Sequence, residues 1–320
     1  MQGYPQNGSP ARNAGGQSGF VLMCVLWTLA LLTIITVGMG HRALLDARAA
    51  AYSMDHARAM LMARGAVHRA RAALRNKNVR DAYALKEGGT GLGQPWAQPV
   101  DMFAEGGYFA MGGEDEYGEE MCMYWIEDEE RRISINTDRS IPLLEQCEAL
   151  SRSDVRKIMR HRKEDDDAQP FHAIEELRYV IDIDDEEWFG SDGETGLRDL
   201  ITCHGDGRIN LNTASREVLE CVPELDKSAI DALMAHRAGE DGELGTTDDR
   251  SMDSWHEVQD QVGSAGSLEP LQRYCKFDSQ LFTITAVATL RQGKVRARCE
   301  AVVSRGGTVA FEWREDPIGS

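Results

Sequence analysis

Carboxylates on one glycine-bearing segment are the first residues whose type and spacing could do chemistry. Residues 238–250 contain Asp241, Glu243, Asp248 and Asp249, with glycines between them. Oxygen ligands on a flexible loop suit calcium, although the spacing differs from that of an EF-hand. We predict that these four carboxylates contribute to a calcium site that orders the loop. The alternative is an acidic loop exposed to solvent.

The other acidic and nucleophilic groups do not indicate an enzyme. Residues 184–187 are four acidic residues in a row, and consecutive side chains point in different directions and so do not converge on one substrate. The sequence has no Gly-x-Ser-x-Gly, His-Glu-x-x-His or P-loop motif. We therefore predict a protein without enzymatic activity and without an organic cofactor.

Six of the seven cysteines lie outside the apolar N-terminal region that contains Cys24. They are Cys122, Cys147, Cys203, Cys221, Cys275 and Cys299. An even number is compatible with disulfides in an oxidising compartment, and six cysteines allow about 15 pairings. Free buried thiols remain an equal alternative.

An uncharged apolar run extends from Phe20 to Gly40 and would anchor the rest of the chain. A helix of about 21 residues, rising roughly 1.5 Å per residue, crosses the core of a bilayer. Residues 1–18 are rich in Gly, Ser, Asn, Gln and Pro and are typical of a disordered leader. The Ala-rich residues 42–75 contain no Pro. We predict one long helix over residues 20–75, with residues 20–40 in the membrane.

Charge divides the chain into a basic N-terminal part and an acidic remainder. Residues 1–75 hold eight Arg and two Asp, or +6, so that the total of −18 leaves −24 on residues 76–320. Phosphate binding needs a basic surface, which makes nucleic acid an unfavourable partner. Most of the basic residues follow the apolar run, and the positive-inside rule alone would place the C-terminal side in the cytoplasm.

Alternating apolar residues predict an antiparallel sheet built from two separated parts of the chain. The predicted strands are Tyr108–Met111, Met121–Ile126, Arg131–Ile135, Leu281–Leu290, Val295–Val303 and Thr308–Trp313. Residues 76–135 and 279–320 would form the sheet. Residues 136–278 would then be a helical domain inserted into it.

An internal repeat predicts how this helical domain is built. The segment Arg132-Ile-Ser-Ile-Asn136-Thr137-Asp returns as Arg208-Ile-Asn-Leu-Asn212-Thr213-Ala. The similarity extends over about residues 132–180 and 208–262 and predicts two tandem helical repeats. Asn-Thr ahead of a helix suits an N-cap region, where short polar side chains accept unpaired amides.

One interpretation of this repeat is DNA binding. Residues 209–219 resemble the opening of helix-hairpin-helix modules, which bind the DNA backbone. Those modules continue with glycines whose amides meet phosphate, whereas residues 222–228 contain no Gly and carry Glu224 and Asp226. A membrane-anchored helix-hairpin-helix protein for DNA binding or uptake therefore stays the alternative.

The other interpretation comes from the N-terminal junction. A leader that ends at Gly19 before Phe20, followed by a long apolar helix, resembles type IV pilins and pseudopilins. In that family a prepilin peptidase cuts after the Gly and methylates the new N-terminus. The Glu that most members carry five residues after the cut is replaced here by Cys24. This replacement and the doubled Asn-Thr units resemble the minor pseudopilin K of type II (general) secretion systems, the GspK family.

The resemblance implies an α+β fold, in which a long N-terminal transmembrane helix packs on an antiparallel pilin-like sheet with a large inserted all-helical domain. It implies that the chain sits in the bacterial inner membrane with its C-terminal domain in the periplasm, against the charge bias. The expected partners are minor pseudopilins I and J, other pseudopilins, the prepilin peptidase and the inner-membrane secretion platform. Calcium-bound helical domains occur in the same family. The expected role is to form or cap the tip of the pseudopilus and to help start its assembly.

Overall fold

The structure is a computed structural model that describes residues 15–75, 89–102, 121–163, 170–191, 193–263 and 265–318. Two compact units divide the chain, residues 1–55 and 56–320. The leader residues 1–14 and the predicted strand Tyr108–Met111 lie outside the described residues.

Helix α1 (Gly15–Arg75) confirms the predicted long helix and begins before Phe20. In the first unit its apolar side chains from Phe20 to Met39 are exposed. Within the described ranges, one helix is long and apolar enough to cross a membrane, and it is the part of α1 from Gly19 onward. A signal sequence near an N-terminus passes the same test of length and composition.

The second unit continues from α1 with short helices and strands. In chain order they are β1 (Val100–Asp101), β2 (Met121–Asp128), β3 (Ile133–Ser134), α2 (Ile141–Gln146), α3 (Arg152–Lys163), α4 (Leu177–Val180), α5 (Asp185–Phe189), α6 (Leu197–Leu200), β4 (Ile201–Thr202), β5 (Ile209–Asn210), α7 (Arg216–Glu220), α8 (Lys227–Arg237), α9 (Trp255–Val262), α10 (Ala265–Tyr274), β6 (Cys275–Lys276), β7 (Leu281–Leu290), β8 (Val295–Ser304) and β9 (Val309–Ile318). Helices thus occupy the middle of the chain, and the long strands lie on either side.

Five strands form an antiparallel sheet in the order β1-β2-β7-β8-β9. Its inner face buries alternate residues of β2, β7 and β8, such as Ala297, Cys299 and Ala301 on β8. The C-terminal part of α1 packs on this face through small side chains, including Ala63 and Ala70, which are fully buried. Alanines at helical spacing let the helix backbone approach the sheet closely, because the side chains between them are short.

The helical domain is inserted between β2 and β7 and has its own apolar core. Two short parallel strand pairs, β3 with β4 and β5 with β6, lie at its base. The prediction that Arg131–Ile135 belongs to the large sheet is wrong, since β3 pairs with β4 and Ile133 is buried in the helical core. The first part of the large sheet therefore ends at Asp128.

Candidate functional site

Three consecutive acidic residues, Asp128, Glu129 and Glu130, lie buried where the sheet meets the helical domain, and we call them the acidic junction. Asp128 is the last residue of β2, and Glu129 and Glu130 begin a 3-10 turn, Glu129–Arg131. Between 1% and 6% of each residue's surface is exposed. Buried carboxylates persist only where donors surround them. Each of the three therefore has to bind a specific part of the fold.

Asp128 connects the end of β2 to the second half of the helical domain. Its Oδ2 accepts hydrogen bonds from the Thr213 hydroxyl at 2.6 Å, from Asn210 Nδ2 at 2.8 Å and from the Ser279 hydroxyl. Its Oδ1 accepts the backbone N–H of Glu130 at 2.9 Å and so caps the 3-10 turn. One carboxylate thus holds the sheet, the helical domain and the returning chain together.

Glu129 and Glu130 bind the ends of the two halves of the helical domain. The Glu129 carboxylate accepts hydrogen bonds from two hydroxyl groups, those of Thr202 at the end of β4 and of Thr283 in β7. Glu130 pairs with Lys276 Nζ at 2.7 Å, at the end of β6. It also accepts the backbone N–H of Gln280 at 2.6 Å. The acidic junction therefore fixes both short parallel strand pairs to the sheet.

The electrostatics of Asp128 and Glu129 differ. Burial raises the pKa of Asp128 above its ordinary value, and the hydrogen bonds from Ser279, Thr213 and Asn210 oppose that rise. Burial also acts to raise the pKa of Glu129, but the nearby Arg132 guanidinium and two hydroxyl donors outweigh it, so that its pKa is lowered. Glu129 is therefore held as a carboxylate at neutral pH.

Asn136 and Asn212 hold equivalent positions in the two sequence repeats and make equivalent hydrogen bonds. Asn136 Oδ1 accepts the Phe171 N–H, and its Nδ2 donates to the carbonyls of Phe171 and Cys203. Asn212 Oδ1 accepts the Met252 N–H, and its Nδ2 donates to the carbonyls of Met252 and Phe277. Each Asn thus ties together two distant backbone segments of its own half.

This use of the Asn side chains differs from the predicted helix caps. The cap of α7 is Ser215, whose hydroxyl accepts the Val218 N–H, and the residue before α2 is Ser140. Thr137 contacts Ser140 through its hydroxyl at 2.7 Å, whereas Thr213 reaches Asp128. Of the repeat motif, Thr213 therefore contacts the acidic junction. The helix caps lie a few residues after the motif.

The predicted calcium ligands lie on the loop after α8, where their oxygens accept hydrogen bonds from the loop itself. Asp248 accepts the N–H groups of Glu240 and Asp241 and the Thr246 hydroxyl. The Thr246 hydroxyl and these amides lower the pKa of Asp248. The Asp249 carboxylate accepts the Gly245 N–H at 2.8 Å, and the Asp241 carboxylate accepts the Glu243 N–H at 2.8 Å. Three of the four carboxylates, those of Asp241, Asp248 and Asp249, thus accept hydrogen bonds within the loop.

A buried cation lies at the root of this loop. Arg237, the last residue of α8, is 1% exposed and donates to the Ala214 carbonyl at 2.6 Å. Burial lowers its pKa to about 10, and the carboxylate of Asp249 opposes that shift. In the part of the chain that the structure describes, no group of three or more His, Cys, Asp or Glu side chains is placed to hold a metal ion. Calcium binding would require the carboxylates to turn toward one another, and it stays a prediction.

We expect calcium to raise the melting temperature of the purified chain by several degrees, and EGTA to reverse the rise. A ligand that binds the folded state at about 100 times its Kd adds about 2.7 kcal/mol of stability. The double change Asp248→Asn and Asp249→Asn should remove the response. The matched control, Asp231→Asn, changes an exposed carboxylate that pairs with Arg216 and should keep it. Identical melting of the unchanged chain in calcium and in EGTA would contradict the prediction.

The proposed processing residues lie in the N-terminal part of α1. Gly19 and Phe20 are helical and exposed, and a Cβ added at Gly19 would meet nothing within 4 Å. Cys24 lies in the same exposed apolar stretch and is a free thiol. The other six cysteines carry reduced thiols in this structure, and all six are buried.

A cavity of about 440 Å³ lies beside the junction, between the outer face of the sheet and the helical domain. Its charged side chains form ion pairs with one another, including Arg132 with Glu127 at 3.2 Å and Arg298 with Glu300 at 2.6 Å. Catalysis needs an acid, base or nucleophile that faces the substrate with its charge available. The charges of this cavity are instead paired with neighbouring charges along its walls.

Comparisons with known proteins test this architecture. No protein-family model matches the sequence, and no curated protein matches it. The structure is similar to a chain in the crystal structure of the GspK–GspI–GspJ complex from the type 2 secretion system of enterotoxigenic Escherichia coli. The TM-score is 0.55 and the sequence identity 14%, and the match covers 86% of this chain and 100% of that chain.

The chain has the fold of a component of that complex. This confirms the α+β fold class with its long apolar N-terminal helix and antiparallel pilin-like sheet. It also confirms, at the level of the fold, the resemblance to a GspK-like pseudopilin. The comparison gives no support to the DNA-binding alternative.

Proposed function

We propose that this chain is a K-type minor pseudopilin of a type II secretion system, which forms or caps the tip of the periplasmic pseudopilus and helps to start its assembly. One observation carries the proposal. A helical domain inserted between β2 and β7, on a sheet packed against an N-terminal helix, gives a fold shared with a chain of the GspK–GspI–GspJ complex. The acidic junction supports it, because it fixes a bulky domain to the sheet.

The proposed location is the bacterial inner membrane, with one membrane span and the C-terminal domain in the periplasm. The apolar part of α1 supports a single span. The proposed partners are minor pseudopilins I and J, other pseudopilins, the prepilin peptidase and the inner-membrane secretion platform. A net charge of −24 on residues 76–320 argues against nucleic acid. Under this proposal the chain is a structural component and has no enzymatic activity.

The residue at position 24 fits a subunit that is added first. In a bundle of apolar helices an unpaired charge is costly, and a Glu near the N-terminus can neutralise the terminal ammonium of a neighbouring subunit. A tip subunit has no subunit above it and needs no such Glu. The uncharged Cys24 occupies this position. The inserted helical domain would block growth beyond the tip.

We therefore expect Cys24→Glu to give little gain in pseudopilus assembly, less than twofold in the number of assembled fibres. Cys24→Ser, which adds no charge, is the matched control and should assemble like the unchanged chain. The measurement is the amount of assembled pseudopilin in sheared surface fractions. A several-fold increase in assembled pseudopilin in the Glu variant alone would show that this position needs a charge. That result would contradict the tip role.

The proposed function is tested by producing the full chain together with I- and J-type pseudopilins and purifying it from solubilised membranes. We expect a stable complex that contains all three proteins. A major pseudopilin offered in place of the I and J types controls for nonspecific association of apolar helices. Elution apart from both minor pseudopilins would contradict the proposal. A salt-dependent shift of DNA by the chain would instead favour the alternative function.

A further inference from the structure

Cys147 and Cys221 occupy corresponding positions in the two halves of the helical domain. Cys147 directly follows α2, and Cys221 directly follows α7. Each closes the end of its helix, because the Cys147 N–H donates to the Leu143 carbonyl at 3.1 Å and the Cys221 N–H to the Val218 carbonyl at 3.2 Å. The backbone at both cysteines is thus fixed by hydrogen bonds.

The two side chains meet inside one apolar core. Cys147 is 2% exposed and Cys221 is 3% exposed, and both belong to the core of the helical domain. Their thiol groups are hydrogen-bonded to one another. In a disulfide the sulfur atoms are about 2.05 Å apart and the Cβ atoms about 3.5–4.5 Å apart, so two thiols in contact must move closer to bond. Bond formation therefore joins two side chains that already meet and whose backbones are fixed at helix ends.

The state of the thiols decides when such a bond could form. The hydrogen bond between the two thiols lowers the pKa of Cys147, and the same bond together with burial raises the pKa of Cys221. Exchange needs a thiolate that an external disulfide can reach, and both thiols are buried in the folded chain. The exchange therefore belongs to folding, before the core of the helical domain closes.

We propose that Cys147 and Cys221 form a disulfide that joins the two halves of the helical domain. Two thiols lose two protons and two electrons as the S–S bond forms. The disulfide of a thiol–disulfide oxidoreductase accepts the electrons and is reduced to two thiols. The inference rests on the proposed function, because a periplasmic location supplies the oxidising compartment in which such bonds persist.

The bond would stabilise the part of the chain that binds the acidic junction. The loop closed between Cys147 and Cys221 contains Thr202 and Thr213, which donate to Glu129 and Asp128. Closing a long loop lowers the conformational entropy of the unfolded chain. The disulfide thus favours the folded junction as well as the packed core of the helical domain.

Tryptic peptides of the full chain can report this bond directly. Cleavage after Arg139 and Arg152 releases residues 140–152, and cleavage after Arg216 and Lys227 releases residues 217–227. Each peptide holds one cysteine. Without reduction we expect the two peptides as one linked species, which reduction separates. Two samples are compared, namely full chain extracted from cells with its thiols alkylated at once, and reduced full chain refolded in a glutathione redox buffer.

The refolded sample tests the pairing, and the sample from cells tests the compartment. Linked peptides after refolding support the inference, and alkylation of both cysteines after refolding would overturn it. A third result is linked peptides in the refolded sample but alkylated cysteines in the sample from cells. It would support the pairing and contradict the proposed periplasmic location. The variants Cys147→Ser and Cys221→Ser should each lower the melting temperature of the oxidised chain by about 10 °C. The control Cys275→Ser should keep the linked peptides.

Discussion

Replacing Asp128 by Ala lowers the free energy of unfolding by an expected 3–4 kcal/mol, roughly the cost of breaking a buried hydrogen-bond network. The change leaves the Thr213 hydroxyl, Asn210 Nδ2 and the Glu130 N–H without their acceptor in a buried site. Burial opposes ionisation of Asp128 and keeps the loss below the sum of its hydrogen bonds. Denaturant unfolding of the purified chain is the measurement.

A surface carboxylate provides the matched control for Asp128. Asp260 lies on α9, is exposed, and pairs with His256 at 3.3 Å. Exposed pairs contribute about 0–1 kcal/mol, so Asp260→Ala should leave the unfolding midpoint nearly unchanged. Equal, small effects of both substitutions would show that the acidic junction does not hold the helical domain on the sheet.

The second large effect is expected at the processing site. Gly19→Ala should abolish leader removal and, with it, assembly into the pseudopilus. The structure separates this effect from misfolding, because an added Cβ at Gly19 meets nothing within 4 Å and Ala favours a helix. The measurement is the electrophoretic mobility of the chain in cells that contain the prepilin peptidase.

Gly38 offers the control for this substitution. It lies in the same helix, and an added Cβ there also meets nothing within 4 Å. Gly38→Ala should therefore be processed normally. A Gly19→Ala chain that loses its leader as fast as the Gly38→Ala chain would refute the assignment of the cut.

Periodic apolar patterns allowed much of the fold to be predicted from the sequence. The uncharged run from Phe20 predicted α1, and strict alternation predicted β7 and β8 close to their observed bounds. Such patterns follow from local geometry, in which a strand repeats every two residues and a helix every 3.6. They need no knowledge of what a segment packs against.

The acidic junction could not be predicted in this way. Three consecutive acidic residues at the end of a strand are typical of a solvent-exposed turn. Their burial depends on partners far along the chain, such as Thr283, which is 154 residues from Glu129. No local pattern encodes a hydrogen bond over that distance.

Two further features were hidden for the same reason. Strand β3 has the alternation expected for the large sheet, but its parallel partner β4 lies in the helical domain. The six buried cysteines left about 15 possible pairings. Only the packing of the helical core brings Cys147 to Cys221. Both features depend on which segments meet in space.

The intact mass of the mature chain, purified from membranes of cells that assemble the secretion system, tests the central claim most directly. A K-type minor pseudopilin should begin at Phe20 with a methylated N-terminus, which requires that the prepilin peptidase has cut after Gly19. A mass that still includes residues 1–19, in cells whose other pseudopilins are processed, would contradict the account.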